Sequence, residues 1–282
     1  MVGSALLARL REAGLSALGT TRRPEHVNER CLHLDLAEDL RQWRPPQPVA
    51  VAVLCAAEAR VQPCKNNPAE TARINVEGVS QLAKNLQDQG AFVIFLSTNH
   101  VFDGSVPFRS PGDPCCPVTE YGRQKAEAER RFRQSGGAGA IVRFTKILGP
   151  RTPLFATWAE ALRRGQRIQP FSDMMLAPVP LSCAVSALLL LAARRLPGIF
   201  HVSGERDVTY EAAARAGAGA MGADPRLVMP MKAAQNGFDS EELPLHTTLD
   251  TETLKSALGM VPPNVQWTIE TAFLNPQLLG GG

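Results

Sequence analysis

Tyr121 and Lys125 stand four residues apart in the stretch TEYGRQKAEAERRF (119–132). On a helix, that spacing puts both side chains on one face, one turn apart. A tyrosine ionises only near a pKa of about 10 and is a slow acid or base at neutral pH. An ammonium held beside it favours the phenolate and draws the hydroxyl toward the range of a working proton donor. Taken alone, a Tyr-x-x-x-Lys pair is weak, and its plainer reading is a surface helix with an exposed lysine. Thr98 adds context. It ends the apolar run FVIFLST (92–98), and α/β sheets bind ligands beyond the carboxyl ends of such strands. A hydroxyl there can hold a substrate oxygen while a tyrosine protonates it. The plainer reading of Thr98 is a strand-end cap.

The elements that must position these residues alternate between strand and helix. Leu6, Leu7, Leu10 and Leu15 mark a helical stripe ended by Gly14, and LSALGT (15–20) reads as a short strand. CLHLDL (31–36) alternates with period two, AEDLRQW (37–43) turns helical, and RPPQP (44–48) is a stiff connector. VAVAVLCAA (49–57) is a continuous apolar run, as expected of a strand buried on both faces. A helix from Pro68 to Asp88 follows, with Ile74, Val79, Leu82, Ala83 and Leu86 inward. SGGAGAIVRF (135–144) is a glycine loop leading into another strand. The pattern predicts an α/β fold, a Rossmann-type doubly wound parallel sheet. Beyond Leu148 it loosens into two helical stretches (154–165 and 182–195) and a late strand, GIFHVSG (198–204). The expected organisation is a dinucleotide-binding domain over 1–150 and a smaller substrate-binding region over 151–282, interleaved with that late strand.

Composition narrows the function classes. At 44% hydrophobic, 20% charged and a net charge of +3, the chain is ordinary globular protein. Its arginines scatter along the sequence without forming a block, which argues against nucleic-acid or membrane partners. The most apolar run, AVSALLLLAA (184–193), is about half of what a bilayer requires. The six cysteines include no Cys-x-x-Cys pair, so no metal site is expected and free thiols in a reducing cytoplasm are. Cys115 and Cys116 are adjacent, a poor geometry for a structural disulfide, and read as packing or exposed thiols.

STNHVFDG (97–104), YGRQK (121–125) and IVRFTKILGP (141–150), in that order, resemble the extended short-chain dehydrogenase/reductase superfamily, and within it the dTDP-4-dehydrorhamnose reductase-like, sugar-nucleotide-binding branch. CAAEARV (55–61), INVEGVSQLAK (74–84), GIFHVSG and LPLHTTLDTETLKSALG (243–259) extend the resemblance over most of the chain. It implies Thr98, Tyr121 and Lys125 as the catalytic set. Tyr121 would protonate a carbonyl oxygen that Thr98 also holds, while Lys125 binds the nicotinamide ribose and lowers the tyrosine pKa. It also implies that Cys55, Ala56 and Ala57 pass their backbone close to the cofactor, that Asp35 lies near the adenine, and that Asn75 either meets the cofactor or braces its own helix. One departure stands out. The branch usually reads Ser-Thr-Asp-Tyr where this chain has Ser97, Thr98, Asn99 and His100. The change leaves the catalytic set standing and puts the usual substrate in question.

Members of the branch begin with a strand and a Gly-x-x-Gly-x-x-Gly turn. MVGSALLARL aligns with the end of that pattern, making Gly3 the third glycine. The first strand and two glycines are then unaccounted for. Either an upstream segment belongs in front of Met1, or a chain of this length binds its cofactor badly. Cofactor choice follows from the second strand. NAD-specific Rossmann folds end it with an acid, whereas here it ends LGTTRR. Arg22 and Arg23 suit a 2′-phosphate, so NADP(H) is favoured over NAD(H).

The implied function is an NADPH-dependent reductase of a 4-keto sugar nucleotide, whose diphosphate would meet Arg151, Arg163, Arg164 or Arg167. The alternatives are a sugar-nucleotide epimerase or a non-catalytic, NADP-binding regulatory subunit similar to the β subunit of methionine adenosyltransferase. A homodimer or a regulatory heteromer is compatible with these readings.

Overall fold

A computed structural model describes residues 1–150, 152–239 and 243–280. The chain divides into two units. One comprises Met1–Val101, Cys115–Arg143 and Ala187–Phe200; the other comprises Phe102–Pro114, Phe144–Ser186 and His201–Gly282.

The first unit is built on the run FVIFLST, which forms β4 (Phe92–Thr98) with nearly every residue buried. β3 (Val51–Leu54) pairs with it in parallel, Val51 opposite Phe92 and Leu54 opposite Phe95. The order in this sheet is β3–β4–β5–β9, with β5 at Gly139–Phe144 and β9 at Gly198–Val202. β1 (Gly19–Thr21) and β2 (Cys31–His33) form a separate parallel pair. The fold is α/β with a parallel Rossmann-type sheet. Val51, Ala52 and Val53 are only half-buried, although the sequence predicts a strand covered on both faces. β3 is an edge strand of its sheet, and that position leaves its residues partly open.

Helix α1 (Val2–Glu12) precedes β1. The helix expected over 37–43 is instead a turn. Asp35 accepts from the Ala37 amide (2.9 Å) and Asp39 from the Arg41 amide (3.0 Å), so side-chain carboxylates take donors that a helix would have used. The helix expected from Pro68 to Asp88 forms as α3 (Pro68–Ala72), a π-helical turn (Arg73–Gly78) and α4 (Val79–Asp88). π-turns inside helices are frequent at functional sites. Here Gly78 lies so close to the Leu36 carbonyl that an added Cβ would sit 1.9 Å from its oxygen. The core between sheet and helices is Leu36, Leu54, Leu82, Leu86, Phe95 and Phe132, with their neighbours.

Helix α5 (Glu120–Gln134) begins at Thr119, whose Oγ1 accepts from the Gly122 amide at 3.1 Å. Such a cap contributes about 1 kcal/mol. Its buried face carries Tyr121, Gln124, Lys125 and Ala128, the i, i+3, i+4, i+7 spacing of one helical stripe. Gly122 permits close approach, since a Cβ there would lie 2.1 Å from the His100 carbonyl oxygen.

The second unit has its own core, in which α6 (Pro153–Arg163), α8 (Tyr210–Ala220) and α10 (Val265–Leu274) meet. Phe155 packs edge-on against Phe273 at 5.7 Å between ring centroids.

Candidate active site

Thr98 stands at the carboxyl end of β4, and its hydroxyl acts on the buried Tyr121 phenol, drawing its pKa down. Thr98 Oγ1 also accepts from the His100 amide at 3.2 Å, and the His100 imidazole stands edge-on to the Tyr121 ring, 5.8 Å between centroids. Tyr121 is 8% exposed. Burial raises its phenol above the ordinary value; the Thr98 hydroxyl opposes this, and the nearby Cys64 and Glu58 add to it. A hydroxyl so placed keeps its proton at neutral pH and can present it to an oxygen that displaces or joins Thr98.

Lys125 lies one turn further along α5 and is buried. Its Nζ donates to the Leu96 carbonyl at 2.6 Å and sits 3.9 Å over the Phe95 ring. Burial lowers its pKa to about 7, against a raising influence from Glu129. The structure thus brings Thr98 and Tyr121 together and directs the lysine at the main chain of β4. The Tyr121 phenol is raised by its burial, whereas the sequence predicts that a neighbouring ammonium lowers it.

Asn75, on the π-turn, is 1% exposed. Its Oδ1 accepts from the Glu58 amide and its Nδ2 donates to the Glu58 carbonyl, each at 2.9 Å. The same Nδ2 donates to Gln124 Oε1 at 2.9 Å, and Gln124 Nε2 donates to Thr71 Oγ1 at 2.9 Å. This buried network ties the loop after β3 to α5. Sequence reasoning passed over Glu58, Cys64 and Gln124. Gln124 left a signal, because it is a polar residue at the stripe spacing of Tyr121 and Lys125.

Of the residues predicted to meet the cofactor, Arg22 and Arg23 follow β1, Asp35 follows β2, and Cys55, Ala56 and Ala57 follow β3, while Gly3 is on α1, Asn75 on the π-turn, and Tyr121 and Lys125 on α5. An added Cβ on Gly3 would lie 3.3 Å from Cys55 Cβ, so the start of α1 rests on the loop after β3. Burial pushes the Cys55 thiol up to about 11. Ala56, Ala57, Arg22 and Arg23 are exposed. The Glu58 carboxyl is held below its usual range by its hydrogen bond from Arg60 first, and to a lesser extent by the charge of Arg22. Asp35 spends one oxygen on its own turn.

In the second unit, a cavity of ≈ 450 Å³ is lined by Trp158, Phe171, Met174, Tyr210, Met231 and Phe238, among others. Arg164 pairs with Glu160 at 2.8 Å, and Arg163 donates to the Phe273 carbonyl at 3.1 Å. Arg167 is exposed, and Arg151 lies outside the described residues. Among the described residues no cluster of His, Cys, Asp and Glu can hold a metal ion, no helix is long and apolar enough to cross a membrane, and the six cysteines are free thiols.

The profile of the RmlD substrate binding domain matches residues 1–276. The chain belongs to the RmlD substrate binding domain family. This family member is 26% identical over 286 residues (97% of this chain, 95% of the relative) to a protein of Haloferax volcanii named "probable low-salt glycan biosynthesis reductase". It is 29% identical to the dTDP-4-dehydrorhamnose reductase of Mycobacterium tuberculosis, over 71% of each chain. A shorter match, 34% over 99 residues, covers 35% of this chain and 30% of methionine adenosyltransferase 2 subunit beta from Bos taurus. Among solved structures, a dTDP-4-dehydrorhamnose reductase of Bacillus anthracis in complex with NADP shares the fold at a TM-score of 0.75. Its sequence is 20% identical, with 89% of this chain and 92% of that chain covered.

Proposed function

We propose that this RmlD-family chain is an NADP(H)-dependent reductase of a 4-keto sugar nucleotide. The observation that carries the reading is the Thr98–Tyr121 pair at the carboxyl end of β4, a place where two hydroxyls can converge on one carbonyl oxygen. The reductase names of the full-length relatives agree with it.

The residues present fit a dinucleotide. Gly3 lets the start of α1 rest on Cys55, the amides at the start of α1 favour an anion, and Arg22 and Arg23 are exposed guanidiniums that suit a 2′-phosphate. NADPH, when bound, supplies the hydride. Tyr121 holds the proton that the carbonyl oxygen takes up, and its raised pKa keeps that proton in place until the oxygen gains charge. Thr98 orients the same oxygen. Lys125 braces the end of β4 behind the tyrosine through its bond to the Leu96 carbonyl. The second unit, with its aromatic cavity, is the substrate-binding region.

The test is a fluorescence titration with NADPH and NADH in parallel, followed by a turnover screen of dTDP- and UDP-linked 4-keto sugars. Saturable NADPH binding with NADPH consumption supports the reductase. Binding without turnover of any of them favours a second reading, a nucleotide-binding regulatory subunit, which the local match to the adenosyltransferase β subunit supports.

A further inference from the structure

The loop after β3 has little packing to hold it. Ala56, Ala57, Ala59 and Arg60 are exposed, and β3 itself is an edge strand. The Glu58 peptide at the centre of the loop is nevertheless gripped at both polar atoms, since Asn75 accepts from its N–H and donates to its C=O. The Cys64 thiol, on α2 (Val61–Asn66), reaches the same carbonyl at 3.5 Å.

That grip fixes which way two amides point. Turned over, Asn75 would set its NH2 against the Glu58 N–H and its oxygen against the Glu58 carbonyl. Its second hydrogen is therefore directed at α5, where Gln124 Oε1 accepts it at 2.9 Å. Gln124 is committed in turn. Its Nε2 faces three oxygens, Thr71 Oγ1 at 2.9 Å and the Pro68 carbonyl and Glu120 Oε1 at 3.1 Å each. The Thr71 hydroxyl donates its own hydrogen to the Asn67 carbonyl at 2.9 Å, which leaves its oxygen to accept. Asn75, Gln124 and Thr71 are 1%, 3% and 5% exposed, so solvent does not replace a lost partner. The chain of bonds runs from the Glu58 peptide to the first turn of α5, where Glu120 precedes Tyr121.

A buried amide chain gives modest net stability, because each of its bonds replaces one to water. What it supplies is a single arrangement, since any shift strands a polar group. We propose that Gln124 is a positioning residue: acting through Asn75, it sets the Glu58 peptide, and with it the 55–58 loop, at a fixed distance from the turn of α5 that carries Tyr121. In the reductase reading above, that distance separates the nucleotide's loop from the proton donor. The catalytic part of the proposal rests on that reading; the geometric part does not.

The experiment is amide hydrogen exchange of the full chain followed by NMR, with turnover measured alongside. Gln124→Met fills the same space without the amide. In this variant the Glu58 amide is expected to exchange about tenfold faster, relative to the amides of Val93, Ile94 and Phe95 in β4, which report global opening. In an Asn75→Leu background, Gln124→Met is expected to add nothing further, because the two side chains act through one bond. In turnover with NADPH, kcat is expected to fall by about 10–100-fold with KM for the sugar nucleotide unchanged, a split that lost stability alone does not produce. If Gln124→Met does not fold, Gln124→Asn, which keeps the amide but falls one methylene short of Asn75, is read in the same way. An unmoved Glu58 rate, or losses that add in the double variant, overturns the proposal. A faster Glu58 amide with unchanged kcat overturns its catalytic part. A wild-type chain that turns over none of the keto sugars counts against the reductase reading, while the Glu58 exchange rate still decides what Gln124 positions.

Discussion

Thr98, Tyr121, Gln124 and Lys125 are buried, while Arg22, Arg23, Ala56 and Ala57, in the same unit, are exposed. The first group is held by the core of a four-stranded sheet and by hydrogen bonds that close on one another. The second sits at the rim of a two-stranded pair and on the loop of an edge strand. The difference separates two kinds of residue. Around Tyr121 the proposed chemistry and the packing rest on the same atoms, so most substitutions are expected to disturb both. At the arginine rim there is little packing to lose, and a substitution there is expected to read the proposed nucleotide binding almost alone.

That contrast can be sharpened or broken by measurement. The largest effect is expected from Tyr121→Phe, which keeps the ring and removes the proton. Turnover should fall by about 10²–10⁴-fold with the NADPH dissociation constant unchanged, and retained turnover would remove Tyr121 from its role. Gly122→Ala should show how tightly the buried side is built. Its methyl group must displace the His100 carbonyl, at about 1–3 kcal/mol of stability, visible as a lower midpoint in urea. A neutral result would mean that the buried end yields as easily as the rim.

At the rim, Arg22→Ala is expected to weaken NADPH by about tenfold, to leave NADH unaffected, and to leave thermal stability where it was. Equal losses for both nucleotides would sever the arginine from the 2′-phosphate. A further effect is a slope in stability against pH. Lys125 has its pKa lowered from 10.5 to about 7, so between those values the unfolded chain binds a proton that the folded chain lacks. The penalty of burying the ammonium is full below pH 7 and fades as pH rises toward 10. Denaturation curves for wild type and Lys125→Met should therefore converge upward through that window, and parallel curves would deny the shift.

Much of the buried end was legible in the sequence. FVIFLST is β4 to the residue, and the Tyr-x-x-Gln-Lys spacing put its side chains on one face because 3.6 residues make a helical turn. Less of the rim was legible. The 37–43 stretch has a helical pattern, yet Asp35 and Asp39 capture its amides, a local competition that periodicity does not register. The half-exposure of Val51 to Val53 was also hidden, since an apolar run says nothing about whether a neighbour strand is present.

What the sequence determined by itself is the set of groups and the faces they share: a hydroxyl at a strand end, a tyrosine and a lysine on one helical stripe, arginines after a short strand. These follow from periods of two and 3.6 residues, which are properties of the local chain. Only the tertiary structure decided what each group meets. It aimed Lys125 at the Leu96 carbonyl, spent Asn75 on the Glu58 backbone, and joined Glu129 to Arg143 across 14 residues of sequence. A pKa or a hydrogen bond is set by neighbours in space and by the water they exclude, and those neighbours come from elements that local spacing cannot bring together.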